Sequence, residues 1–258
     1  MDTPPEKKPR YTFEIMVALG YLLFCGLATA TGGWAFYKIT ARMLPTATEQ
    51  NPLLTNMPPM TPTPHILANG LSVEDVIFKD NFTDNRNSWG NSEDANHIAV
   101  KDGELTFGSS EQGKYAMTNS VATIYMSRPY YLQADLAVDQ TTAAGFGVFF
   151  GRHVGTNDFY LFEIIPETKE YYLMHHTGDS WSKRMEGTSD WIRSYPFGNN
   201  LGLFVDNGIL EFYINHKIID AYQDSGISFQ TGGAGFYVDN FGFQLIVTNF
   251  ALYKAGGQ

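Results

Sequence analysis

The alternation of apolar and polar positions divides the chain into three zones, of which the first is a long apolar run. From Ile15 to Phe36, 22 residues contain no charged residue and no proline. A helix of that length is about 33 Å long at about 1.5 Å per residue, which is enough to cross a bilayer. We therefore predict a transmembrane helix over 15–37, preceded by a cytoplasmic tail over 1–14. A signal peptide cleaved after Ala28-Thr29-Ala30 is the alternative, but the apolar run continues past that site.

Small residues gather in the second half of this predicted helix. They include Gly26, Ala30, Gly32 and Gly33. Small residues spaced four apart let the backbone of a second helix approach closely. This pattern predicts a docking face for a membrane protein subunit, and a lone anchor of ordinary composition is the alternative.

The second zone, over 38–67, is rich in proline and threonine. Six prolines lie between Met43 and Leu67, without a helical or alternating apolar period. Proline at this density favours an extended, semi-rigid chain. We predict an extracytoplasmic linker, and a segment laid against the surface of a partner is the alternative.

The third zone, over 68–258, has the alternation and the turns of an all-β domain. Asp102-Gly103, Asp206-Asn207-Gly208 and Asn215-His216 separate short alternating runs, as in hairpins. Many short strands of this kind predict a two-sheet antiparallel jelly-roll sandwich. The predicted strands cover 97–100, 105–107, 121–127, 130–138, 144–152, 158–165, 170–176, 201–205, 209–214, 217–221, 233–239 and 243–254.

Charge predicts orientation and excludes one class of partner. Lys7, Lys8 and Arg10 precede the apolar run and only Lys38 and Arg42 follow it closely, which favours a cytoplasmic N-terminus. The chain would then lie in the cytoplasmic membrane with its C-terminal domain on the periplasmic or extracellular side. The net charge of −10 is concentrated in the strand-rich zone. An acidic domain lacks the positive surface that phosphate backbones require, so nucleic acid is excluded as a partner.

Several segments resemble a known fold family. The stretch 79–84 with Trp89 is similar to the opening "D-F-x-D…W" of concanavalin A-like (laminin G-like) β-sandwich modules. Segments 157–164, 178–181, 199–201 with 212–215, 235–238 and 247–250 follow in the order and spacing of that family, although His216 replaces its usual glycine. The resemblance covers about residues 76–254 and implies a sandwich shared by lectins, glucanases, keto-disaccharide hydrolase-like domains and non-catalytic modules. Such a fold does not assign a function by itself.

The catalytic residue pattern of one branch of this family is incomplete on one predicted strand. Laminarinase-type members of that family carry E-x-D-x-[x]-E, in which two glutamates perform the chemistry. Here Glu163 and Glu167 have the outer spacing, but Ile165 replaces the aspartate and Pro166 ends the strand. We interpret Glu163 as a solvent-facing residue and Glu167 as a turn residue, and we predict no catalysis.

We predict no cofactor and no metal site. Calcium is the one ion considered as a candidate. Asp80, Asp84 and Asp239 are candidate calcium ligands, but their spacing fits no fixed pattern and turn capping by Asp80 and Asp84 is favoured. His175 and His176 are adjacent on a predicted strand, so they face opposite sides and cannot share one metal.

Aromatic and polar residues suggest a glycan as ligand. Candidate ligand-binding residues are Arg152, Tyr160, Glu163, Tyr172 and Trp181, with Trp191 and Tyr195 as further rings.

The preferred prediction is a non-catalytic, single-pass accessory subunit of a membrane protein assembly. Its predicted partners are membrane protein subunits, the lipid bilayer and, as a candidate, a glycan. The alternatives are a membrane-tethered lectin-like module and a glycoside-active enzyme that uses Glu163.

Overall fold

The structure, a computed structural model, describes most of the strand-rich zone. The described residues are 73–90, 98–110, 112–119, 121–125, 129–152, 155–206, 208–223, 231–240 and 242–255. The predicted tail, transmembrane helix and linker lie outside them, as do Gly26, Ala30, Gly32 and Gly33. Among the described residues, no helix has the length and apolar character needed to span a bilayer.

Within these residues the chain forms fifteen β-strands. They are β1 (Val73–Asp80), β2 (Ala99–Lys101), β3 (Glu104–Phe107), β4 (Ala116–Met117), β5 (Val121–Tyr125), β6 (Tyr130–Val138), β7 (Phe146–Arg152), β8 (Phe159–Ile165), β9 (Glu170–Thr177), β10 (Ser180–Thr188), β11 (Asn199–Asp206), β12 (Ile209–Ile214), β13 (Lys217–Gln223), β14 (Thr231–Val238) and β15 (Leu245–Ala255).

The strands form two antiparallel sheets, which confirms the predicted all-β sandwich. The first sheet has the order β13-β12-β11-β6-β15-β3-β2, with β1 also paired to β15. The second has the order β10-β9-β8-β7-β14-β4, with β5 also paired to β14. Because consecutive strands are often not neighbours, the chain crosses repeatedly between the two sheets.

An aromatic core joins the two sheets. The Phe162 ring of β8 lies 4.9 Å from the Phe212 ring of β12, and Phe236 of β14 lies 5.5 Å from Phe250 of β15. Trp89 is fully buried, and its ring lies 5.1 Å from that of Phe236. Burial of so many rings is the main stabilising term of a sandwich of this size.

Two predicted hairpin turns adopt the left-handed backbone that their residues favour. Asp102 and Gly103 have φ values of 56° and 91° between β2 and β3. Asn215 and His216 have φ values of 50° and 66° between β12 and β13. The position of His216 therefore requires a positive φ, which explains why glycine is usual there in the family that the sequence resembles.

The outer face of the first sheet carries a buried polar network. Asp135 of β6 points away from the core, yet only 7% of it is exposed, and it accepts a hydrogen bond from Asn200 Nδ2 at 2.7 Å. Burial raises the pKa of Asp135. Its neighbour Gln133 is also buried and donates to the Tyr253 hydroxyl at 3.0 Å. Both faces of this sheet are thus shielded from water over its central strands.

Candidate functional site

The second sheet has an aromatic cluster on the face away from the sandwich core. Alternate residues of its strands point outward, and four of them are nonetheless buried. The four are Phe149, Phe159, Leu161 and Tyr237. Three partly buried neighbours pack against them: Met117, Met174 and Trp181.

This outer face is strongly concave. Trp181 lies on the edge strand β10 and Tyr237 on β14, four strands away. On a flat sheet the two strands would be roughly 19 Å apart, at about 4.8 Å per strand. Their ring centroids are only 5.7 Å apart. The sheet therefore curls around this surface, which we call the concave face.

One exposed ring stands at the aromatic end of the concave face. Tyr115 is 45% exposed, stacks on Tyr237 at 5.4 Å and meets the edge of Trp181 at 6.3 Å. Trp181 is itself fixed by edge contacts with Phe159 at 5.5 Å and His176 at 4.6 Å. Aromatic neighbours thus hold the Tyr115 ring in place with part of its surface open to solvent.

Polar and charged side chains accompany the rings on this face. Lys183 Nζ lies 5.7 Å from the centre of the Tyr172 ring and pairs with Glu186. The Arg152 guanidinium lies 5.8 Å from the Phe149 ring centre. Hydrogen-bond donors and acceptors therefore flank an aromatic surface, which is the combination found in small-molecule binding sites.

Glu163 lies on the concave face as a partly buried side chain whose Oε1 atom is shielded from solvent. Burial, followed by the charge of Asp239, raises its pKa to about 8. No hydrogen-bond partner for its Oε1 atom is found among the described residues. A Cβ atom at Gly145 would lie 2.0 Å from that oxygen, so the glycine makes the space that the carboxyl occupies.

The interpretation of Glu163 as solvent-facing was therefore wrong. Alternation places every second residue of β8 on the outer face, but that face is itself shielded by the aromatic cluster. The same group is chemically distinctive because a carboxyl with a pKa near 8 is protonated at neutral pH and can donate a hydrogen bond or a proton.

The concave face brings together four of the five predicted ligand-binding residues. Arg152, Glu163, Tyr172 and Trp181 belong to it. Tyr160 does not, because it faces the sandwich core, where it stacks on Phe150 at 5.7 Å and on His175 at 4.2 Å.

Sequence reasoning missed three residues of the concave face. These are Tyr115, Lys183 and Glu186. The two charged residues lie on β10, a strand that the sequence did not predict, and Tyr115 precedes a strand of only two residues. The single signal for β10 was the apolar pair Trp181 and Met185, which face opposite sides of it.

Two of the candidate calcium ligands, Asp80 and Asp84, make other contacts. Asp80 accepts hydrogen bonds from the Phe82 amide at 2.8 Å and Trp89 Nε1 at 2.7 Å, so its oxygens serve a turn and the core. Asp84 pairs with Arg86 at 2.5 Å, which holds its pKa at about 2. The turn-capping alternative fits both residues. Among the described residues, no group of three or more histidine, cysteine, aspartate and glutamate side chains is placed to hold a metal.

A polar cleft of about 410 Å³ lies between the loops at one end of the first sheet. Its polar groups are engaged with each other, since Gln140 donates to the Gly242 carbonyl and the Gln244 amide donates to Asp139 at 2.9 Å. Its only aromatic lining residue is Phe243, which is buried. The concave face is therefore the better candidate for a ligand site.

Comparison with known proteins identifies the fold. No family model and no curated protein matches the chain. A Bacillus subtilis protein of unknown function with a galectin-like fold matches with a TM-score of 0.50 and 12% identity, over 73% of this chain and 100% of that one. The catalytic domain of a laminarinase from Thermotoga petrophila has a TM-score of 0.49 and 11% identity, over 71% and 98% of the two chains. The carbohydrate-binding module CBM66 of Bacillus subtilis has a TM-score of 0.43 and 13% identity, over 61% and 86%.

At these identities the likeness concerns the fold alone. The galectin-like match spans the whole of the other chain. The resemblance to concanavalin A-like modules that the sequence suggested is thereby confirmed for the architecture. The described residues of this chain form a two-sheet antiparallel β-sandwich with a galectin-like fold.

Proposed function

We propose that this sandwich is a carbohydrate-binding module whose ligand lies on the concave face. The observation that carries the proposal is the Tyr115 ring, 45% exposed and fixed by Tyr237 and Trp181. The apolar face of a pyranose ring stacks on such a surface, and a ring already held in place loses little entropy on binding.

Specificity would come from the polar groups that flank the rings. The Tyr172 hydroxyl, Lys183 and Glu186 offer donors and acceptors on adjacent strands β9 and β10, since Tyr172 pairs directly with Glu186. The Arg152 guanidinium offers further donors from β7. Hydroxyl groups of a saccharide can accept from the cations and donate to the carboxylate.

Two amino-acid changes at Tyr115 test the proposal. The full-length protein would be screened on an array of neutral oligosaccharides, and the best ligand would be titrated by calorimetry. We expect Tyr115→Ala to weaken binding about 3- to 10-fold, because an aromatic stacking contact contributes roughly 0.5–1.5 kcal/mol. Tyr115→Phe retains the ring and should bind within about twofold of the wild type.

The control is Ile209→Ala, which removes an exposed apolar side chain of β12, outside both the concave face and any aromatic cluster. This variant should bind neutral ligands as the wild type does. Absence of any bound saccharide, or equal affinity of wild type and Tyr115→Ala, would remove the proposed function.

Glycoside hydrolysis is the second candidate, and one observation favours it. The pKa of Glu163, raised to about 8 by burial and by Asp239, is suited to a general acid at neutral pH. Against it, Ile165 stands where a retaining enzyme of this fold would carry an acidic residue. The test is turnover of the bound oligosaccharide by wild type and Glu163→Gln. Hydrolysis that disappears in the variant would support an enzyme, and no turnover in either protein would support a binding module.

We further propose that the module is tethered to the cytoplasmic membrane, with the N-terminus inside, as an accessory subunit of a membrane assembly. The uncharged run 15–36 and the small residues Gly26, Ala30, Gly32 and Gly33 support this proposal. Resistance of the full-length chain to alkaline extraction from native membranes, with co-purification of other membrane subunits, is the expected result. Release into the soluble fraction would argue against the tether.

A further inference from the structure

A second aromatic surface lies on the loop over 189–198, between β10 and β11. Three of its side chains are among the exposed large apolar residues of the described chain: Trp191 at 53%, Tyr195 at 40% and Phe197 at 52%. Three half-exposed rings thus lie within seven residues of one loop, and a concentration of exposed apolar side chains is typical of binding surfaces. We call this segment the aromatic loop.

The aromatic loop is held in one conformation by hydrogen bonds. Asn199 Oδ1 accepts from the Arg193 amide at 2.8 Å, and Asn199 Nδ2 donates to the Arg193 carbonyl at 2.8 Å. The Ser194 hydroxyl donates to the Pro166 carbonyl at 3.0 Å. Ile192, only 1% exposed, anchors the loop in the core. The backbone that carries the exposed rings is therefore held in one conformation, which lowers the entropy lost on binding.

Positive charge collects around these rings. Lys217 Nζ lies 5.4 Å from the centre of the Trp191 ring. The pKa of His216 is lowered, mainly by burial and secondly by the positive charge of Arg193. Lys169 Nζ lies 3.8 Å from Asp190 Oδ1. Lys217 and Arg193 thus place two permanent cations at the aromatic loop, whereas Lys169 is paired with Asp190.

The aromatic loop is separate from the concave face. It leads into β11, a strand of the first sheet, and Asn215 Nδ2 of the β12–β13 turn donates to the Trp191 carbonyl at 2.7 Å. The concave face belongs to the second sheet and to other rings. The two surfaces can therefore be altered independently.

We propose that the aromatic loop is a second saccharide site, specific for acidic oligosaccharides that carry carboxylate or sulfate groups. Trp191 and its neighbouring rings stack on the apolar faces of sugar rings, while Lys217 and Arg193 pair with the anionic group. The inference rests on the proposed function for its ligand class, the saccharides. The site itself does not depend on the concave face. An anionic lipid surface is less well matched, because such surfaces are recognised by clusters of about 4–8 basic residues.

Calorimetry on the full-length protein would use hexagalacturonate, a heparin-derived hexasaccharide and, as the uncharged counterpart, methyl-esterified hexagalacturonate. We expect at least one acidic probe to bind and the ester to bind at least about tenfold more weakly. Trp191→Ala and Lys217→Gln should each weaken acidic binding about fivefold or more, since each removes a direct contact. An increase in salt from 50 to 200 mM should weaken it as well, because the contact is charge-assisted.

The matched control is Lys101→Gln, which removes an exposed lysine outside the patch and should change acidic binding less than twofold. Failure of both acidic probes to bind, or equal effects of Lys101→Gln and Lys217→Gln, would overturn the inference. So would Trp191-dependent binding to vesicles containing 30% phosphatidylserine without any acidic saccharide binding. Binding of neutral ligands that is lost in Tyr115→Ala reports on the concave face, so failure of the aromatic loop as a site leaves the proposed function standing.

Discussion

The buried carboxyl of Glu163 makes the stability of the domain depend on pH in a defined direction. Its pKa is about 8 in the folded protein and 4.5 in an exposed chain. Between these values the unfolded state ionises while the folded state stays protonated, so the free energy of unfolding falls as pH rises. Each unit of pKa difference corresponds to about 1.36 kcal/mol, so this group lowers stability by about 3 to 4 kcal/mol between pH 5 and pH 8.

Comparison of wild type with Glu163→Gln isolates this effect. The substitution keeps the shape of the side chain and removes its ionisation, at a packing and hydrogen-bonding cost that is the same at every pH. Urea unfolding followed by tryptophan fluorescence at pH 5, 6, 7 and 8 gives both stability profiles. We expect wild type to lose about 3 to 4 kcal/mol more than the variant over this range, because groups that do not interact with Glu163 contribute equally in the two proteins.

The control for this measurement is Glu167→Gln, which alters an exposed carboxyl of the adjacent turn and should retain the wild-type slope. Parallel profiles for wild type and Glu163→Gln would refute the argument, since they would mean that burial does not perturb this carboxyl.

Two substitutions test the packing of the sandwich by thermal unfolding. Gly147→Ala should cost about 3 kcal/mol or more, because the added Cβ would lie 1.9 Å from the Phe162 carbonyl oxygen, whereas Gly178→Ala meets nothing within 4 Å and should cost about 1 kcal/mol for its left-handed backbone. Equal effects of the two alanines would contradict the steric argument. Trp89→Phe should cost about 2 to 4 kcal/mol, because it removes the 2.7 Å hydrogen bond to Asp80 and leaves a void in the core. A melting temperature unchanged from wild type would show that this contact does not stabilise the domain.

Much of the fold followed from local sequence signals. Each predicted strand within the described residues overlaps an observed one, and the turns at Asp102-Gly103 and Asn215-His216 have the expected backbone. These elements were predictable because hairpin turns and apolar runs act over a few residues. The pairing order of the strands was not predictable in this way, since it depends on contacts between distant segments.

The edge strand β10 could not be predicted from local sequence signals. Its sequence, SWSKRMEGT, alternates little and is mostly exposed, so it carries no apolar face to predict. It becomes a strand because β9 offers a free edge for pairing, which a window of nine residues cannot reveal. Two site residues, Lys183 and Glu186, were missed with it.

The concave face exposes a second limit of sequence reasoning. The alternation rule assumes one buried and one solvated face, and it therefore placed Glu163 in solvent. The second sheet buries residues on both faces, because its curvature brings Trp181 of β10 against Tyr237 of β14. Curvature arises from the whole sheet, so the environment of a single residue on it cannot be read from neighbours in the chain.

The contact between Trp181 and Tyr237 also bears on how the protein behaves when crowded. An uncovered edge strand invites a strand from another molecule to pair with it. On β10 that edge carries Lys183 and Arg184, and its pairing with β9 is interrupted between Lys183 and Met185. The ring contact fixes this irregular, positively charged border against the body of the sheet. At this edge a neighbouring copy would thus find no straight strand with which to pair.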